Sequence, residues 1–227
     1  MTYLFLIGLT MLLSMYASWK VSSNYRKYSQ VPASSGMTGA EVAQRILDLN
    51  GIRDVSIHAI QGHLTDHYDP SNRRLVLSEE NYHGTSVAAL GVAAHECGHA
   101  IQHQQLYAPL QWRMAAVGIT TIAGQIIPIV GMIGFYAAPK IALPIMALAF
   151  GIVMLFQLVT LPVEFDATAR AKKVLASTGA VAPGVEYDAM SRVLSAAALT
   201  YVAAFLSSLA QFLHFAMMLL GQRREED

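Results

Sequence analysis

Five consecutive residues, His95-Glu96-Cys97-Gly98-His99, form an H-E-x-x-H pentapeptide. On an α-helix, residues four apart share one face, so both imidazoles can reach a single metal ion. Neutral imidazole suits Zn²⁺, and the intervening glutamate lies beside the coordination position that a catalytic zinc site keeps open. In a chain of 227 residues with 8 histidines, this motif is expected by chance only about 0.01 times. The chemistry it points to is metal-assisted peptide-bond hydrolysis: one zinc per chain activates water and polarises the scissile carbonyl. Glu96 is then the general base that passes the water proton to the leaving amine.

A catalytic zinc needs a third protein ligand. His103 lies on the same helix face, but a rise of ~1.5 Å per residue carries it ~12 Å beyond His95, too far for shared coordination; it is read as a supporting, substrate-facing or solvated group. Cys97 points about 200° around the helix from His95, away from the metal and into packing. Glu164 is the stronger candidate, in the stretch LPVEFDATAR at 161–170. Ala167 and Ala169 are small enough to let that segment approach the His95 helix closely. The alternative is that Glu164 and Asp166 are acids at a helix N-terminus, favoured by the helix dipole. That reading is preferred for Asp166, and the ligand reading for Glu164.

The elements that carry these residues are set by composition. Hydrophobic residues make up 54% and charged residues 13% of the chain, with a mean hydropathy of +0.41. Such a chain is neither disordered nor an ordinary soluble enzyme. Its net charge of zero supplies no basic field for nucleic acid, and one cysteine excludes an internal disulfide framework. Four charge-free runs, 2–19, 114–138, 141–161 and 199–220, are long enough to be transmembrane helices. Gln125, Gln157, Gln211 and His214 inside them are read as helix–helix hydrogen-bonding groups. No acidic or basic residue sits at mid-span, which argues against a channel or pump.

Two hydrophilic stretches remain. Residues 20–113 hold the H-E-x-x-H helix, and 162–198 form a helical segment with the third ligand. Two spans separate them, so both lie on one side of the membrane. Lys20, Arg26, Lys27, Arg113, Arg170, Lys172, Lys173 and Arg192 flank that side, against Lys140, Arg223 and Arg224 on the other; the bias puts the hydrophilic side in the cytoplasm. Residues 31–39 (VPASSGMTG) read as a linker. The alternation in 55–60 (VSIHAI) and the run 73–77 (RRLVL) predict strands, with a turn at 68–72 between them. A small sheet beside the metal helix offers an edge to which an extended peptide could add a strand. The Ala-rich stretch 85–94 favours the metal helix itself. His58, His63, His67 and His83 read as packing or surface groups, with His67 and His83 held as lesser candidates for transition-state contacts.

Four motifs, LTDHYDP at 64–70, LVLS at 75–78, GVAAHECGHAIQ at 91–102 and PVEFDA at 162–167, resemble the YugP-like bacterial membrane zinc metallopeptidases. The similarity covers nearly the whole chain, spans included. That family is of gluzincin type and distantly similar to the HtpX membrane proteases. The resemblance implies that His95, His99 and Glu164 bind zinc and that Glu96 is catalytic. Distant relatives carry an acid four residues after the ligand glutamate, where this chain has Thr168. The expected fold is therefore a membrane α-helical protein with a cytoplasmic α+β gluzincin-like metallopeptidase domain. The expected partners are the lipid bilayer, a membrane-protein or peptide substrate cut at the membrane surface, and a regulatory membrane protein that no motif identifies. An intramembrane protease, a non-catalytic zinc scaffold and a lipid-modifying enzyme are the competing readings. The scaffold has no use for a base at Glu96, and the apolar stretch around the motif is too short to span.

Overall fold

The computed structural model describes residues 2–226. Helix α1 (Thr2–Tyr28) is followed by α2 (Gly39–Leu49), strands β1 (Ser56–Ile60), β2 (His67–Asp69) and β3 (Arg74–Ser78), and the one-turn helix α3 (Glu79–Tyr82). Helices α4 (Val87–Gln104), α5 (Ala108–Ile129), α6 (Phe135–Ala137), α7 (Pro139–Thr178) and α8 (Val185–Glu226) complete the chain, with a π-helical turn, Val130–Gly134, between α5 and α6. Among the described residues, four helical stretches, Leu4–Tyr28, Ala108–Gly134, Pro139–Thr178 and Val185–Gly221, are long and apolar enough to cross a membrane.

The chain divides into two compact units. One comprises residues 1–16, 111–161 and 200–227. Its packing centres on Leu143, Met146, Ala147 and Phe215, with the Phe150 and Phe215 rings stacked at 5.3 Å. Leu4, Phe5, Leu9, Met132, Ile141 and Leu148 are exposed there, a density of outward apolar groups that water does not favour and hydrocarbon does. The π-helical turn starts two residues after Pro128, whose missing N–H breaks the α-helical hydrogen-bond ladder.

The second unit, residues 17–110 and 162–199, holds every residue of the site. Its core joins Val42, Ala43, Ile46 and Leu47 of α2, Leu75 and Leu77 of β3, Leu90, Ala93, Ala94, Cys97 and Ile101 of α4, Ala171 and Leu175 of α7, and Met190 and Leu194 of α8. Thr38 and Glu41 start α2 with a reciprocal capping box. Ser86 starts α4 by accepting a hydrogen bond from the Ala89 N–H at 3.1 Å. Cys97 is buried with its Sγ toward the Ala43 carbonyl oxygen, as its position on the helix implies.

The sheet has the order β1-β3-β2, with β1 parallel and β2 antiparallel to β3. The stretch expected to be a turn thus begins with a strand. The turn itself follows Asp69, whose carboxylate accepts hydrogen bonds from the Ser71 and Asn72 N–H groups, the Asn72 side chain and Arg74. Hydrogen bonds from Asn72, reinforced by Arg74, lower the Asp69 carboxyl to a pKa of about 2. Strand β1 is mostly exposed rather than half-buried.

Two other expectations change. Residues 31–39 are no free linker. The Ala33 N–H donates to the Thr85 carbonyl, the Val87 N–H to that of Val31, and the Ser35 hydroxyl to that of Ala180. The helix bearing Glu164 does not start near Pro162 either, because α7 runs unbroken from Pro139 to Thr178. Proline removes one N–H there, but Val163, Glu164, Ala167, Thr168, Ala171 and Leu175 form a buried stripe at helical spacing that holds the helix through it.

Candidate metal centre

Helix α4 presents His95 and His99 one turn apart, with ring centroids 4.9 Å apart and planes at 82°. Glu164 enters from α7 with its side chain 2% exposed, between two imidazoles that are 13% and 10% exposed. Its Oε2 lies 3.2 Å from His95 Nε2 and 3.5 Å from His99 Nε2. One donor atom from each of the three residues falls within 4.8 Å of the others. Zinc–nitrogen and zinc–oxygen bonds of tetrahedral sites place neighbouring donors about 3.3–3.5 Å apart, so both contacts already have the length of a coordination edge.

The outward sides of the rings say which nitrogens face the centre. His99 Nδ1 lies 3.0 Å from Gln102 Oε1, and His95 Nδ1 lies 3.4 Å from the Thr168 hydroxyl. The Gln102 oxygen accepts only, so His99 carries a hydrogen on Nδ1, and Nε2 is the nitrogen that faces the Glu164 carboxylate. In the metal-free site a proton on Nε2 links each imidazole to that carboxylate, and a metal ion would take the protons' place there. The donor set, two imidazoles and a carboxylate, is one that zinc takes in catalytic sites.

Titration of the metal-free groups carries the same signature. Burial alone would lower the His99 pKa, but its hydrogen bond to Glu164 and the charges of Glu96 and Glu164 raise it above the usual histidine value. Burial alone would raise Glu164, which lies beyond the charge-free run 141–161; hydrogen bonds from His95 and His99 instead hold its carboxyl well below the usual carboxylate range.

Glu96 is buried beside His95. Among the described residues it makes no hydrogen bond or ion pair, so its carboxylate remains available to water and substrate. Among the described residues, Asp166 is not in the His95, His99 and Glu164 group. It accepts hydrogen bonds from Gln102 Nε2 at 2.8 Å and from Arg170 Nε. Since both Glu164 and Asp166 sit in the middle of α7, neither is an acid at a helix N-terminus. Thr168, where distant relatives carry an acid, faces His95. His103 pairs with the Tyr68 hydroxyl of β2 at 2.9 Å, beside a cavity of about 390 Å³ also bordered by Arg73 and Ala100. Burial and the Arg73 charge lower its pKa. His58 contacts Ser56, His63 pairs with Glu80, His67 meets its neighbour's backbone at Thr65, and His83 packs on Tyr82.

Gly98 and Gln102 carry roles that the sequence reading did not assign. A Cβ on Gly98 would lie 2.7 Å from the Ala167 carbonyl oxygen and 3.1 Å from its Cα, so glycine is what lets α4 and α7 close on each other. Ala167 is buried at that crossing, whereas Ala169 is exposed and takes no part. Gly98→Ala must push backbone against backbone. It is expected to destabilise the fold by about 1–3 kcal/mol and to weaken zinc binding, read by thermal melting and by zinc content. The spacing signal for Gln102 was available: it follows His95 by seven residues and His99 by three, on the same helix face.

The chain matches, over residues 3–220, the family described as "Putative neutral zinc metallopeptidase". It is 45% identical to the "Putative membrane protease YugP" of Bacillus subtilis (strain 168), over 99% of this chain and 100% of that protein. No solved structure matches it.

Proposed function

The chain belongs to that neutral zinc metallopeptidase family, and from this premise we propose that it is an integral membrane zinc metalloendopeptidase. Its substrates are membrane proteins or membrane-tethered segments, cut near the cytoplasmic face of the bilayer. The observation that carries the reading is the convergence of His95, His99 and Glu164, one donor atom of each within 4.8 Å of the others, with Glu96 beside them.

When bound, zinc supplies Lewis acidity, lowering the pKa of water and polarising a carbonyl. His95, His99 and Glu164 would hold the ion, one per chain. Glu96 accepts the proton of the attacking water at its carboxylate and delivers it to the departing amine nitrogen. The short edge strand β2, which contacts α4 through Tyr68 and His103, is positioned to align an extended peptide by main-chain hydrogen bonds.

Chain distances support action at the membrane surface. Glu164 follows the charge-free run 141–161 by three residues on one continuous helix, and Tyr107 and Trp112 are residue types that favour the interface. The excess of basic residues flanking 20–113 and 162–198 supports a cytoplasmic placement of both stretches. The test is cleavage by the purified full-length protein, reconstituted in vesicles, of one reporter sequence presented either tethered to the bilayer or free. Faster cleavage of the tethered form is expected. Equal rates would remove the membrane-surface restriction.

A further inference from the structure

We infer that Gln102 is the positioning residue of this centre: its buried amide fixes which nitrogen of His99 faces the metal position, and the Asp166–Arg170 pair fixes the amide. The inference rests on the metallopeptidase reading above.

A glutamine amide has one accepting oxygen and one nitrogen with two hydrogens. Gln102 Nε2 lies 2.8 Å from the Val163 carbonyl oxygen and 2.8 Å from Asp166 Oδ2. Both partners only accept, so both amide hydrogens are committed. Turning the amide over would set its oxygen against a carbonyl and a carboxylate. Oε1 is therefore held toward His99 Nδ1 at 3.0 Å, and a hydrogen on Nδ1 is what makes that contact favourable. His99 Nε2 is thereby the nitrogen turned to the point it shares with Glu164, where its lone pair would serve a metal once its proton has left.

The lock has an outer layer. Arg170 donates through Nε to Asp166 and through Nη1 to Gln105 Oε1 at 2.6 Å, and its guanidinium stands 5.9 Å from the centre of the Tyr107 ring. Asp166 is thus oriented and charge-compensated by Arg170 at the same oxygen, Oδ2, that accepts from the fully buried Gln102. A neutral amide is the group this place requires. A carboxylate at 102 would face Asp166 and would add negative charge beside Glu96 and Glu164 without a counterion. His95 has no such lock, because its Nδ1 meets a threonine hydroxyl, which can donate or accept. His99 is the anchored ligand of the pair and His95 the adaptable one.

The test is zinc affinity, measured on detergent-purified full-length protein by competition with a chelator of known strength, together with melting of the metal-free form. Gln102→Met keeps the length of the side chain and removes its hydrogen bonding. It is expected to weaken zinc binding about 10–100-fold, the range seen when the partner of a ligating histidine is lost. A residue that only fills space would lower the metal-free melting temperature and leave the affinity alone. Gln102→Glu is expected to weaken zinc as well, by opposing two carboxylates. Adding Asp166→Asn returns a donor to face that glutamate and is expected to restore most of the loss.

Zinc affinity of a folded Gln102→Met variant within about twofold of wild type would overturn the inference. If that variant does not fold, equal affinities of Gln102→Glu with and without Asp166→Asn would overturn it. Wild-type protein that binds no zinc would instead overturn the metallopeptidase reading, and the inference with it.

Discussion

Glu96→Gln is expected to lower peptide cleavage by about 10²–10⁴-fold, the usual contribution of a positioned general base, while zinc content stays at the wild-type level. The substitution is nearly isosteric and changes one property: the amide cannot take a proton from water. Glu96 is only 8% exposed, follows His95 by one position on α4, and has no hydrogen-bond partner among the described residues to lose. The fold and the three metal-facing groups should therefore be undisturbed, and the loss should fall on turnover rather than on binding. Cleavage at the wild-type rate by this variant would show that Glu96 is not the base.

The second large effect is on the metal itself. Glu164→Ala removes the carboxylate that both imidazoles face, at 3.2 and 3.5 Å. Zinc binding at four-ligand structural sites is worth about 10–16 kcal/mol; an equal share per ligand, about 3 kcal/mol, puts the loss of affinity on the order of 10²-fold, and cleavage should fall with it. Because Glu164 is almost fully buried, alanine also leaves a cavity. Glu164→Gln keeps the volume and removes the charge, and it separates loss of a ligand from loss of packing: zinc weakened in both variants, with the glutamine variant melting close to wild type, is the expected pattern. Unchanged zinc affinity in both would mean that another residue is the third ligand.

The parts of the site that were legible in the sequence are those whose chemistry is written in residue type and helical spacing. His95, Glu96 and His99 announce themselves because imidazoles four residues apart on one helix have few uses other than a shared metal ion. Glu164 followed from a topological condition, an even number of spans between ligands on the same side of the membrane, together with its resemblance to a known family. The four apolar stretches were equally plain, because a length of about 20 residues without charge is set by the bilayer and not by tertiary packing.

What was hidden depended on tertiary contacts. Pro162 reads locally as a helix start, yet α7 passes through it, because the buried stripe from Val163 to Leu175 outweighs one missing hydrogen bond. The sequence Tyr68-Asp69-Pro70 reads as a turn, and the strand that ends at Asp69 exists through its pairing with β3. The 31–39 stretch has linker composition but is fixed by partners at Thr85, Val87 and Ala180, distant in the chain. Gly98 and Gln102 are ordinary residue types in helices, and only the approach of α7 shows that one clears the crossing and the other bridges His99 to Val163 and Asp166. Asp166, two residues from Glu164, reads in the sequence as an N-terminal acid or a ligand; it sits mid-helix, where Gln102 and Arg170 hold its carboxylate.

Hydrolysis should depend on zinc held by His95, His99 and Glu164. The most direct measurement removes zinc from the purified full-length protein with a chelator, returns it in steps, and follows cleavage of a membrane-tethered reporter against zinc content in the same sample. Activity should vanish in the stripped protein and return in proportion to zinc, saturating at one ion per chain. Cleavage that persists in protein free of zinc would contradict the account.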